Sequence, residues 1–487
     1  MAGPVTFTLA AQAFRVGSTM LLTVLVSRFL GAEALGLLTL GLTLATIATV
    51  VASLGVDQGV IRFVARAQPG VASAPAAVRT ALIIAATGGV AAGSLAWLIA
   101  PMVANVLFGA PALRIMLLIF ALTIPPTAIL AAALGAMQGS FLVVQRSVIE
   151  WIAFPLLTLA LAAGVLLSGR GVNGVAVSYL IAWLVVAVVG VSIALRIPGD
   201  AGPLIFRPML ALSLPLMLSL LTGYLLFHVD VLMLGGLAGI RDVGLYSVAT
   251  RLALPLFLVL DSVARAFAPM VAHLYPQQQI ERLGSVYAAA TEWILAINVA
   301  AGVLIAMNAE SILRLFGDEF VAAAMPLRVL CLGIVAATSC GAAASMLTMT
   351  RWQRLEMIDN LLLLLINVAL NALLIPRFGA LGAAFATATS ATSVYALKVL
   401  QVRWLLSLQP FRPRQAASAL LALVAAATSW LATQPLDVHE HLELAVRVVV
   451  FAATYGMLWW RWGCSATSRE VLQSIMQRQA PEAAKLG

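Results

Sequence analysis

The sequence predicts an all-α, polytopic membrane protein with two six-helix lobes related by an internal repeat and two more helices, fourteen transmembrane helices in all. The 487 residues are 62% hydrophobic and only 10% charged, and the mean hydropathy is +1.05. Apolar windows of about 20 residues recur along the chain, and each is long enough to cross a bilayer. Landmark residues also recur at one fixed spacing. A soluble protein of this length would expose far more polar surface.

The repeat has a spacing of 208 residues. The matching landmarks are Gly31, Gly36 and Leu37 with Gly239, Gly244 and Leu245, then Gln145 and Arg146 with Gln353 and Arg354, then Gly171 and Gly174 with Gly379 and Gly382. Several transporter folds consist of two such copies, and their substrates bind where the copies meet. We therefore expect a site between two related lobes.

The apolar windows set the predicted boundaries. The helices are expected at 7–30, 36–56, 80–108, 113–137, 148–168 and 174–195, then 209–236, 243–271, 285–307, 321–349, 355–375 and 379–402, and finally 414–433 and 444–462. The corresponding domains are a first lobe at 1–200, a second at 201–408, a helix pair at 409–463 and a cytoplasmic tail at 464–487. Connections are short, so function is expected within the bilayer or at its edges.

Charge orients the chain. If both termini are cytoplasmic, the inner loops and the tail hold most of the 28 Lys and Arg residues. This orientation agrees with the rule that cytoplasmic loops of membrane proteins carry an excess of Lys and Arg. The net charge of +9 then faces membrane headgroups, which argues against nucleic-acid binding.

Energy-coupling and catalytic motifs are missing from the sequence. Its two lysines, Lys398 and Lys485, follow no glycine-rich phosphate loop, which excludes ATP hydrolysis by that motif. Cys331 and Cys340 are nine residues apart on one predicted helix and form no metal-binding pattern,. We expect no cofactor, no metal and no enzymatic activity.

Charged side chains deep in predicted helices are the candidate functional residues. They are Arg15, Asp230, Arg251, Asp261, Arg265 and Glu292, whereas Glu150, Asp359 and Arg328 lie near helix ends, where water is within reach. An ionised side chain at the bilayer centre costs at least about 2.5 kcal/mol, so each needs a partner, water or a function.

Spacing suggests partners in the second half. Asp261 and Arg265 are one helical turn apart and can pair. Counted from the ends of the predicted helices, Asp230 and Arg251 lie at a similar depth in the membrane, and so do Arg265 and Glu292. Structural ion pairing and a hydrated substrate path both remain open.

Arg15 has no deep acid in its own half. We expect it to face water, an anionic ligand such as a diphosphate, or Glu292 or Asp230 across the lobes. Glu292 is a candidate for coupling to H+ or Na+, and His228 is a weaker candidate for a proton relay.

Four segments carry a family resemblance. They are 27–36 (SRFLGAEALG), 55–64 (GVDQGVIRFV), 230–235 (DVLMLG) and 243–251 (VGLYSVATR). They resemble the polysaccharide-transporter branch, which includes O-antigen and other lipid-linked oligosaccharide flippases, of the multidrug, oligosaccharidyl-lipid and polysaccharide exporter superfamily.

The resemblance implies a flippase of the bacterial inner membrane. Such a protein moves a polyprenyl-diphosphate-linked oligosaccharide between leaflets by alternating access, for lipopolysaccharide or other surface polysaccharides, and works beside a polymerase and glycosyltransferases. By motif position, Arg15 and Arg251 match cavity cations of the family. With Arg265 they form the expected cationic substrate site, and Asp230, Asp261, Glu292 and His228 are the coupling or ion-pair candidates. The alternatives are a cation-coupled multidrug exporter of related fold and a scaffold that does not transport.

Overall fold

The computed structural model describes residues 2–66, 73–199, 202–412, 415–434 and 440–463. Within these residues the chain is helical and contains no strand. The helices are α1 (Ala2–Ala52), α2 (Val56–Ala65), α3 (Ala74–Met102), α4 (Pro111–Ala121), α5 (Ile124–Gly139), α6 (Val143–Ser147), α7 (Phe154–Leu167), α8 (Gly171–Ala194), α9 (Phe206–Leu237), α10 (Ile240–Leu274), α11 (Ile280–Met307), α12 (Ala309–Arg314), α13 (Ala324–Ser339), α14 (Ala343–Thr348), α15 (Gln353–Leu406), α16 (Gln415–Thr433) and α17 (Glu440–Leu458). The predicted tail at 464–487 lies outside the described residues.

Ten of the described helices are long and apolar enough to cross a membrane, and a bent pair, α4 with α5, raises the number to eleven. The protein is therefore a multi-pass membrane protein. The predicted spans 7–30 and 36–56 are joined in α1, and 355–375 and 379–402 are joined in α15. The count of fourteen crossings stays a prediction.

The repeat is visible in the backbone. Gly31 and Gly239 both have positive φ angles, of 82° and 114°, and so do Gly171 and Gly379, at 67° and 53°. A side chain destabilises this conformation, so glycine is favoured wherever the chain turns in this way. The structure adds a pair that the sequence comparison missed. Gly109 and Gly317, again 208 residues apart, have φ angles of 58° and 131°.

α15 is a folded hairpin. Gly379 (φ 53°, ψ −131°) interrupts its helical backbone, and side chains 42 residues apart in sequence form hydrogen bonds across the two arms, as Asp359 does with Gln401. Gly382 on the second arm lies against the carbonyl of Leu374 on the first. The two arms therefore run side by side.

Small residues set the packing in the first half. α3 and α5 meet along a core rich in alanine that also includes α2. A methyl group at Gly89 of α3 would approach Cα of Pro125 to 2.9 Å, so the helices are in backbone contact there. Close approach through small residues is typical of helix pairs in membranes.

The chain divides into two compact units, Met1–Ser247 and Val248–Gly487. α9 packs on α1, α2 and α3 and belongs to the first unit. The domain boundaries expected from the repeat, 1–200, 201–408 and 409–463, stay predictions.

Candidate functional site

A pocket in the first unit contains Arg15. It has a volume of about 240 Å³, and its walls are one face of α1, the turn before α7 with the start of α7, and α8. From α1 it receives Arg15, Ser18 and Thr19. Arg15 is exposed and forms no ion pair or hydrogen bond within the described part of the chain. A guanidinium with five unoccupied donors therefore opens into a partly polar cavity.

The same pocket has one acid, Glu150. It lies in a π-helical turn, Val148–Ala153, just before Pro155. Proline has no N–H to continue the ladder, and wide turns of this kind are common where an α-helix is interrupted. Nε of Arg146 binds Glu150 Oε2 at 3.1 Å. Glu150 is thus already neutralised by its own helix, and the local charge around Arg15 stays positive.

Aromatic side chains of α7 and α8 also line the pocket. Phe154 of α7 and Trp183 of α8 stack with ring centroids 3.8 Å apart, and the ring of Tyr179 is tilted by 57° to that of Phe154, with centroids 6.2 Å apart. The pocket therefore combines a cation and hydroxyl groups with aromatic surface, a combination suited to an amphipathic anion.

The predicted ion pair of α10 is present in the second unit. Nη2 of Arg265 binds Oδ2 of Asp261 at 2.6 Å, and the side chains are 79% and 53% exposed. Among the described residues Arg265 has no second carboxylate partner, so the pairing with Glu292 that equal depth suggested is not formed. Arg251 is half-buried and has interaction partners of its own.

The remaining coupling candidates are buried or in contact with aromatic rings. Asp230 is buried and accepts a hydrogen bond from the hydroxyl of Tyr246 at 2.8 Å. His228 lies 4.1 Å from the ring of Tyr224, and Glu292 is buried and has neighbours that interact with it. Whether any of these residues couples transport to an ion stays a prediction.

A polar cluster within the α15 hairpin was missed. We expected Asp359 to reach water from its helix end, but it is 1% exposed and is bonded to Gln401 on the second arm of α15. Nearby, Nζ of Lys398 binds Glu356 Oε1 at 2.7 Å and Asn360 Oδ1 at 3.0 Å. The sequence signal that could have revealed this cluster was the repeated glycine Gly379. If the chain reverses direction at that residue, position 356 lies opposite 398 and position 359 lies opposite 401.

The fold is that of known transporters. The lipid II flippase MurJ in its inward closed conformation superposes with a TM-score of 0.76 at 12% identity, covering 95% of this chain and 99% of that one. A multidrug resistance MATE family transporter of the MOP superfamily, inward-facing, gives 0.65 at 16% identity and covers 82% and 98%. A MOP superfamily transporter from Pyrococcus furiosus gives 0.56 at 15% identity and covers 83% and 94%.

Family models agree with the fold. The MatE model matches residues 215–373, whereas no curated protein sequence matches. A model described as "Polysaccharide biosynthesis protein" matches residues 4–275, which is more than half of the chain. With its repeated glycines, apolar helices and transporter fold, the chain belongs to the polysaccharide biosynthesis protein family and has the fold of the MOP superfamily, as the motif resemblance predicted.

Proposed function

We propose that this protein is a flippase that moves a polyprenyl-diphosphate-linked oligosaccharide from the cytoplasmic to the outer leaflet of the bacterial inner membrane. Its product is used in the synthesis of cell-surface polysaccharide such as O-antigen. Both termini are cytoplasmic in this proposal, and the cycle is alternating access. A polymerase and glycosyltransferases are the expected partners.

The observation that carries the proposal is Arg15 in its pocket. Its guanidinium has no carboxylate partner in the part of the chain that the structure describes and lines the pocket with Ser18 and Thr19. It suits a diphosphate, since its planar fork can bind two oxygens at once. The Arg146–Glu150 pair in the wall contributes no net charge. Arg251 and Arg265 of the second unit are proposed to complete the cationic site.

The comparisons support a lipid-linked substrate. The description of the matching family model is "Polysaccharide biosynthesis protein". One of the similar solved structures, of which the superposition covers 99%, is a lipid II flippase. A lipid II flippase and an oligosaccharide flippase share one physical problem, since a polar headgroup must cross while its lipid tail stays in the bilayer.

Inward coupling of H+ or Na+ is the proposed driving force. A membrane potential of 100 mV supplies about 2.3 kcal/mol for each charge moved. This energy biases the cycle only if the ion binds one conformation more tightly than the other. Asp230, Asp261, Glu292 and His228 are the candidates from the sequence.

The experiment compares Arg15→Ala, Arg15→Lys and Arg114→Ala. Arg114 is an exposed arginine of the same unit that makes no ion pair in the described structure. We expect Arg15→Ala to abolish surface polysaccharide in a strain lacking the native protein and to abolish flipping of a fluorescent polyprenyl-diphosphate oligosaccharide in proteoliposomes. Arg15→Lys should retain part of the activity, and Arg114→Ala nearly all. Normal polymer with a correctly inserted Arg15→Ala protein would refute the proposal.

The MatE match over 215–373 favours a second candidate, a cation-coupled exporter of small amphipathic drugs. For that function, neutralising Arg15 and Arg251 should change drug efflux little, whereas Asp230→Asn and Glu292→Gln should abolish it. If every one of these substitutions is silent in both assays, a scaffold for polysaccharide synthesis replaces both transport functions.

A further inference from the structure

Two acids on the first arm of the α15 hairpin, Glu356 and Asp359, are bonded to side chains of the second arm. Across its two arms, Lys398 binds Glu356 and Asn360, and Nε2 of Gln401 donates to Oδ1 of Asp359 at 2.9 Å. Lys398 and Asp359 are each 1% exposed. The ammonium of Lys398 is thus bonded to one carboxylate, that of Glu356, whereas the carboxyl group of Asp359 is bonded to an amide.

Asp359 is incompletely bonded as a carboxylate. Its Oδ2 is buried and has no hydrogen-bond partner within the described residues, and Oε1 of Gln401 is buried without a partner as well. These are the second atoms of two planar groups already joined by one hydrogen bond. A buried carboxylate with an unpaired oxygen is costly. A proton on Oδ2 turns that oxygen into a donor, and the unpaired amide oxygen is its natural acceptor.

We propose that Asp359 reversibly binds a proton on Oδ2 and shares it with Oε1 of Gln401. Protonated Asp359 and Gln401 then form a two-bond ring in which the amide N–H donates to Oδ1 and the carboxyl O–H donates to Oε1. Release of the proton leaves a negative carboxylate and breaks one of the two bonds. No other reactant is required.

The neighbouring charges place the proton on Asp359 rather than on Glu356. Glu356 is bonded to the Lys398 ammonium at 2.7 Å, whereas the partner of Asp359 within the described residues is the uncharged amide of Gln401.

The other titratable groups around the cluster are few among the described residues. The ring of Tyr395 lies 5.1 Å from Nζ of Lys398, and Cys340 and Asp261 are within electrostatic range of that tyrosine. α13 contributes Cys331, which is buried, and Arg328, which binds Glu310. The base on α13 is thus paired with another acid, and the sequence of α14 contains no titratable residue.

Proton binding at this site supplies a means of coupling. The deprotonated carboxylate is stabilised only in a conformation that gives Oδ2 a donor or water, so protonation shifts the balance between conformations. This last step rests on the proposed transport function, but proton binding itself does not.

The test is infrared difference spectroscopy of the purified, full-length protein in lipid nanodiscs, without substrate, as pH is raised. We expect the C=O band of a protonated carboxylic acid to disappear with rising pH in the wild type. It should be absent from Asp359→Asn, be shifted in Gln401→Leu, which lacks the amide partner, and persist in Glu310→Gln, a control acid on α12. Asp359→Asn keeps the shape of the group and can bind the Gln401 amide, so the variant should fold.

Two results would overturn the proposal. One is a titrating carboxyl band that is the same in wild type and Asp359→Asn. The other is loss of the band when sodium replaces choline at constant pH, which would make the cluster a metal-cation site. Neither result depends on flipping, so failure here is distinguishable from failure of the proposed function, which the Arg15 variants test.

Discussion

Gly36 and Gly244 occupy the same position in the two copies of the repeat, and the two contacts they make are also related by the repeat. The Cα of Gly36 faces the backbone carbonyl of Ile240, and that of Gly244 faces the carbonyl of Ala32. Each carbonyl belongs to the residue four positions before the other glycine. The copies therefore meet here, inside the first unit, in a reciprocal contact like that across a two-fold axis.

The reciprocal contact predicts matched costs for Gly36→Ala and Gly244→Ala. A methyl group at either position would overlap a backbone carbonyl, so the helices must separate, at a cost of about 1–3 kcal/mol. Both variants should melt well below the wild type when thermal unfolding is followed in detergent. The double variant should lose less than the sum, because one separation relieves both overlaps.

The control for this prediction is Gly223→Ala on α9, where a methyl group meets no atom within 4 Å. Its melting temperature should be unchanged or slightly higher, because alanine favours the helix. Equal losses in all three variants would show that the reciprocal contact is unimportant.

Removal of the buried ammonium should destabilise the α15 hairpin. Lys398→Met leaves Glu356 without its cation in a largely buried site, and breaking such a pair costs about 3–5 kcal/mol. Glu356→Gln combined with Lys398→Met removes both charges and should restore most of the melting temperature. A single variant as stable as the wild type, or a double variant no better than the single, would contradict this prediction.

The fold at Gly379 predicts that the two ends of α15 lie on one side of the membrane. In a cysteine-free background, Arg351→Cys and Gln409→Cys, both at exposed positions beyond the ends of α15, should react with an impermeant thiol reagent from the cytoplasmic side. Arg377→Cys, exposed beside the fold, should react from the opposite side. Labelling of all three from one side would show that α15 does not cross the membrane twice.

Substitutions in the exposed ion pair on α10 test whether that pair serves transport or stabilises the fold. Asp261 and Arg265 are largely exposed, and exposed pairs contribute little to stability. Arg265→Ala should therefore lower flipping several-fold with little change in melting temperature. Asp261→Asn leaves the arginine in place and should retain more activity. If both variants have a melting temperature well below that of the wild type, by the same amount, the pair stabilises the fold.

Several features were predictable because they depend on local or repeated sequence. Gly31, Gly171 and their counterparts stand where the chain turns with positive φ, so they remain recognisable after most other residues have diverged. The Asp261–Arg265 pair follows from the geometry of one helical turn. Apolar windows located the helices but not their continuity, because nothing in hydropathy distinguishes a kink from a break.

The sequence by itself determined the class of molecule, since composition and apolar windows require a polytopic helical protein and a fixed spacing of glycines requires two related copies. Only the tertiary structure decided which charges are partnered. Glu150 is paired with Arg146, whereas Arg15, which lines the same pocket, has no ion-pair partner among the described residues. Asp359 is bonded to a helix arm that begins 20 residues after it. Solvent access and the distance to a counter-charge depend on which helices become neighbours, and no single stretch of sequence contains that information.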